Sequence, residues 1–172
     1  NQSEMVKANL TILLRQNPED GHLQYLLGKS QEVSKKNNEA VEAYKAAIKY
    51  SPENLDAYSK LADLLRHRMD RAKEADEVID SMVKARPDDY RVYLVRGRYR
   101  RLFDLAGANA DFEKTLQKNS KDPDVYVELA LSAMQAKKYD EARRILEDGL
   151  QKAGNSSGIY RALIEVGKIS GK

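Results

Sequence analysis

The chain of 172 residues has no cysteine, which excludes disulfides, thiolate metal sites and cysteine nucleophiles and leaves the redox compartment open. Tryptophan is also absent, and there are two histidines, His22 and His67. No Gly-rich phosphate loop, no His-Glu-x-x-His and no Ser-His-Asp arrangement is legible, so no catalytic residue, cofactor or metal is expected. No apolar run approaches the ~18 residues of a membrane span, and no signal-peptide pattern opens the chain. Charge of one sign is scarce as well: 30 basic against 27 acidic side chains leave +3. A generic nucleic-acid binder normally carries a dominant basic footprint, so that class is disfavoured. Only four prolines and nine glycines interrupt a chain that is 33% charged, a profile suited to helices.

What is present is a repeat. Small residues stand at Gly28, Ala62, Gly97 and Ala130, with Ile164 in the fifth place, at steps of 34, 35, 33 and 34. Four residues earlier come Gln24, Tyr58, Tyr93, Tyr126 and Tyr160; one residue earlier come Leu27, Leu61, Arg96, Leu129 and Leu163. A second series, Ala40, Ala75, Ala108 and Ala142, follows the first by 12, 13, 11 and 12. Each of these alanines is followed four residues on by Tyr44, Ile79, Phe112 or Leu146. The constant spacings belong within helices and the variable ones to turns between them. Each unit therefore reads as an antiparallel helix pair. Pro18, Pro52 and Pro87 stand ten residues before the next small site and read as restart signals. Pro123 stands only seven before its site, so Asp122 is the expected N-cap there and a small bend at 118–123 is anticipated.

The units resemble tetratricopeptide repeats, in which an aromatic, Leu-Gly, Ala, a further aromatic and Pro recur at a period of 34. The fullest copies are Tyr126, Leu129, Ala130, Tyr139, Ala142, Leu146 and Tyr93, Arg96, Gly97, Ala108, Phe112. Departures are Gln24 for the first aromatic, and Arg100 and Ala133 where an aromatic is usual. The resemblance implies an all-α, right-handed superhelical solenoid of about ten helices. The expected division is 1–17 as the second helix of a preceding repeat, then repeats 18–51, 52–86, 87–119 and 120–153, then 154–172 as a further first helix. Val6, Leu10 and Leu13 continue the packing series backwards, and Ile159, Leu163, Val166 and Ile169 form an apolar stripe at the other end. That pattern suits a window of a longer array whose open ends self-associate.

The resemblance also implies a function: a protein–protein interaction scaffold holding a peptide segment on its concave face. The first helices would present Tyr25, Lys29, Asp63 and Arg66, then Arg91, Leu94, Arg98 and Arg101, then Val127, Leu131 and Met134. A basic stripe beside an apolar patch would suit a partner with acidic and apolar residues, since Arg forks onto carboxylates. The lysine and asparagine set with which some tetratricopeptide repeats grip a C-terminal carboxylate is only partly matched, by Tyr25, Lys29, Lys60, Arg91 and Val95. Arg96 stands apart, a charge where other units place leucine, and a structural ion pair with Asp111 is expected. Alternatives are a docking segment of a larger enzyme, such as a protein glycosyltransferase, and an RNA-binding helical array. Alternate arginines on one helix face different ways, which argues against a phosphate track. Asn9-Leu10-Thr11 and Asn155-Ser156-Ser157 match the glycosylation pattern, a motif short enough to arise by chance.

Overall fold

The computed structural model describes residues 2–171, the side chains of 2–4, 6 and 7 excepted, so Val6 lies outside the described residues. Ten helices and no strand appear among the described residues. They fall into two compact units, residues 1–85 and 86–172. The first holds α1 (Gln2–Gln16), α2 (Gly21–Val33), α3 (Asn37–Tyr50), α4 (Leu55–Met69) and α5 (Ala72–Ala85). The second holds α6 (Tyr90–Arg100), α7 (Leu105–Lys118), α8 (Pro123–Gln135), α9 (Tyr139–Ala153) and α10 (Ser157–Ser170).

The helices do not restart at the prolines. Their N-caps lie two residues later, at Asp20, Asn54 and Asp89, where a short polar side chain accepts a hydrogen bond from an otherwise orphaned backbone N–H. Asp122 caps α8 in the same way, with Pro123 at a position where its missing N–H is harmless. The cap stands eight residues before the small residue in all four cases, so the displaced proline leaves the register unchanged.

In α6 and α8 the repeat aromatic of the first helix has a polar task besides packing. The Tyr93 hydroxyl donates to the Pro87 carbonyl (2.9 Å) and that of Tyr126 to the Ser120 carbonyl (2.8 Å). Gln24, which departs from the aromatic pattern, donates from Nε2 to the Pro18 carbonyl (3.2 Å) and so keeps the tie six residues back.

Where the two helices of a pair cross, side chains of matched size meet. A β-carbon added at Gly28 would fall 2.5 Å from the Tyr44 ring, and one added at Gly97 would overlap the Phe112 ring. Tyr44, Ile79, Phe112 and Leu146 are all buried, as are the alanines that precede them. The core of the second unit runs from Leu94 and Phe112 through Tyr126 and Leu146 to Ile159 and Val166. The apolar stripe expected to lie open on α10 is thus largely covered by α8 and α9. Only Ile169 of that stripe is exposed, and Tyr160 and Ile164, on another face, are exposed too.

Three helix pairs turn through a non-glycine residue in the left-handed region: Lys35, Asp70 and Lys137. The third pair does not. There α6 is shorter, the Phe103 and Asp104 N–H groups both donate to the Arg100 carbonyl, and Leu102 and Phe103 point into solvent, Phe103 edge-on to Tyr99 at 5.2 Å. This tighter turn is why the spacing from Gly97 to Ala108 is 11.

Tyr44 gives a pH test of the first unit. Burial, then its hydrogen bond to Glu32 Oε2 (2.8 Å), push its phenol far above the usual tyrosine range. The folded chain therefore keeps a proton that the unfolded chain loses near pH 10, so stability falls as pH rises beyond that point. Tyr44→Phe is expected to cost about 1–3 kcal/mol at neutral pH and to flatten the alkaline fall, read by urea unfolding at pH 7 and pH 11.

Candidate functional site

The arginines of α6 were the strongest functional signal in the sequence, and the structure pairs each of them with a carboxylate. Arg91 turns back on its own helix cap: Nε and Nη2 donate to Asp89 at 2.9 and 2.7 Å, and Arg86 adds a contact at 3.2 Å. The Arg91 hydrogen bond holds the Asp89 carboxyl below its ordinary range. Arg96 reaches α7 side-on, with Nε donating to Asp111 Oδ2 (2.9 Å) and Nη2 to Oδ1 (2.7 Å). Arg100 donates from Nη1 to the same Oδ2 at 3.1 Å, so one buried carboxylate serves two guanidiniums.

Arg98 and Arg101 point the other way, to α8. Arg98 Nε donates to Glu128 Oε1 (2.8 Å) and Nη2 to Asp124 Oδ2 (2.9 Å), while Arg101 Nε lies 3.3 Å from Glu128 Oε2. Burial pulls the Arg98 pKa down, but the bonds to Asp124 and Glu128 outweigh it and leave the group above its ordinary value. Glu128 is buried, and its Oε2 has no aligned donor; Asp124 is exposed.

The apolar residues read onto this face divide. Leu94 is 5% exposed and belongs to the core, so it cannot also be a free anchor. Val127 and Met134 are partly buried against that core, and Leu131 is half-buried. Leu131 follows Ala130 as Arg98 follows Gly97, which puts the two at one level of neighbouring first helices.

In the first unit, Tyr25 is half-buried with the Lys29 ammonium 5.6 Å from its ring centroid. Desolvation, then Asp56 and Glu32, raise the Tyr25 phenol. Desolvation also raises the Asp63 carboxyl, against the pull of His67 and Lys60. Arg66 leaves the face expected for it: Nη2 donates to Asp76 on α5 at 2.6 Å. Each of these arginines therefore has an acid within reach, beside it on its own helix or on a helix packed alongside. Glu128 was not singled out in the sequence. Its signal was available: in the other units the same place holds Leu26, Lys60, Val95 or Ala162.

Among the described residues no cluster of histidine, cysteine and carboxylate could hold a metal, and no helix is long and apolar enough to cross a membrane.

Antiparallel helix pairs in repeating register, with side-chain pairs linking successive first helices, define an all-α repeat protein of the solenoid class. The chain belongs to the tetratricopeptide repeat family, whose model matches residues 34–99 and 100–165. The solved structure of yeast Tom70 has a TM-score of 0.77 at 15% identity, covering 96% of this chain and 36% of that one. YrrB, described as a tetratricopeptide repeat protein with an unusual peptide-binding site, has a TM-score of 0.59 at 16% identity, covering 94% and 84%. These likenesses establish the fold. In sequence, the chain is 28% identical over 99 residues to the human protein O-mannosyl-transferase TMTC3, which is 57% of this chain and 11% of that protein. The chain thus spans about a ninth of the length of that relative.

Proposed function

We propose that this chain is a protein-interaction module, and that its second unit holds a peptide segment of a partner across the first helices α6 and α8. Members of this fold typically act as non-catalytic scaffolds, and the peptide-binding site named for YrrB is in keeping with that. The observation that carries the reading is Arg98, which bridges α6 to α8 while its Nη1 has no hydrogen-bond partner among the described residues. An arginine so placed offers an edge to a carboxylate, and half-buried Leu131 at the same level offers an apolar contact. The partner segment is thus acidic and apolar together. Nucleic acid fits less well, because the arginines of α6 are matched to Asp89, Asp111, Asp124 and Glu128 and leave no cationic track.

The test is fluorescence titration of octapeptides holding one Glu and one Leu at separations of one to four residues. Arg98→Ala is expected to weaken the best binder by roughly tenfold or more, the scale of one charge-assisted hydrogen bond. Leu131→Ala should weaken it several-fold. Binding indifferent to both substitutions overturns the reading. The likeness to part of an O-mannosyl-transferase favours a second one, in which the module docks partners or substrates for a larger enzyme. Finding no enzyme domain in the gene around this segment would exclude it.

A further inference from the structure

The geometry points to Asp124 as a built-in competitor for the partner at Arg98, and to a single carboxylate as the group that displaces it. The inference rests on the peptide-binding reading above.

The two acids that hold Arg98 are unlike. Glu128 is nine-tenths buried and takes the Nε edge, so it fixes the plane and direction of the guanidinium from within the helix packing. Asp124, in the first turn of α8 and with 58% of its side chain exposed, takes Nη2 from the solvent side. Exposed ion pairs are weak, since solvent screens them and two side chains must be held still. Asp124 can therefore swing into water with little penalty, while Glu128 keeps Arg98 aimed. Nη2 then joins the already unpartnered Nη1, and the pair presents the planar fork that a carboxylate meets with two parallel bonds.

The same arrangement selects the charge of the ligand. Glu128 stays about one guanidinium away, and Arg101, at 3.3 Å from its other oxygen, offsets only part of its charge toward the site. A monoanion replaces Asp124 like for like. A phosphate dianion brings a second negative charge toward Glu128 and is disfavoured by like-charge repulsion. The occupant is thus a Glu or Asp side chain of a peptide, and Asp124 acts as its stand-in when no partner is present.

The experiment uses the full 172-residue chain, the Glu/Leu octapeptide that binds best, and the same peptide with Glu replaced by Gln or by phosphoserine. Asp124→Asn is expected to tighten the Glu peptide about two- to fivefold, the scale of one exposed ion pair. It should leave the Gln peptide unchanged, which a mere loosening of α8 would not do. The phosphoserine peptide should bind the native chain more weakly than the Glu peptide. If Asp124→Asn leaves the Glu peptide unchanged, or tightens Glu and Gln peptides alike, the competitor role is overturned while peptide binding stands. Tighter binding of the phosphoserine peptide overturns the carboxylate assignment. If neither the native chain nor the variant binds any of the peptides, the acidic-partner reading fails, and this inference with it.

Discussion

Asp111→Leu should destabilise the second unit by about 3–5 kcal/mol, and by more than Arg96→Leu does. Asp111 is buried on α7 and accepts hydrogen bonds from both Arg96 and Arg100. Removing the acid strands two guanidiniums that are mostly out of water. Removing Arg96 instead leaves Asp111 with Arg100 at 3.1 Å, so part of the charge stays compensated. The double substitution Arg96→Leu/Asp111→Leu replaces the pair with the leucine that other units carry at the place of Arg96. It should be less destabilising than the sum of the singles by more than 1 kcal/mol, the mark of coupled neighbours. Thermal and urea unfolding followed by circular dichroism decide the matter. Additive losses, or equal losses from the two single substitutions, would refute the shared carboxylate.

Phe112→Ala should cost a comparable ~3–5 kcal/mol, since the ring is fully buried between α6 and the core residues of α8 and α9. Its partner gives the sharper result. Gly97 lies under the ring, where any β-carbon would overlap Phe112. In the native chain Gly97→Ala should therefore destabilise, because overpacking of ~1–3 kcal/mol exceeds the ~1 kcal/mol by which alanine favours a helix over glycine. In the Phe112→Ala background the clash is gone and the same substitution should stabilise. A change of sign between backgrounds is the expected result; the same sign in both would show that the glycine is not there for the ring.

The turn of the third helix pair shows where the sequence was legible and where it was not. The spacing of 11 announced a shorter connection. It did not say that this turn dispenses with the left-handed residue used at Lys35, Asp70 and Lys137, nor that Leu102 and Phe103 end in solvent. Spacing counts residues, whereas turn type depends on which carbonyl the next N–H groups find. The restart signals were displaced for a related reason. Proline forbids the old helix to continue, but the new one begins where a side chain can accept from the backbone, and that is the Asp or Asn two residues later.

The sequence by itself determined the repeat, and with it the all-α solenoid fold. Those follow from periodicity, and periodicity is a property of residue order: a helix buries every third or fourth side chain whatever lies opposite. It also marked Arg91, Arg96, Arg98 and Arg101 as unusual. Only the tertiary structure decided what they are unusual for. An arginine carries its charge some six bonds from the backbone, and which acid lies within its reach depends on the helix packed alongside. Arg91 is taken by its own cap, Arg96 and Arg100 by Asp111, Arg101 by Glu128, and Arg98 by two acids of α8. A row of positive charge in one dimension is a set of guanidinium–carboxylate contacts in three, and Arg98, held between α6 and two acids of α8, is where we propose that the partner binds.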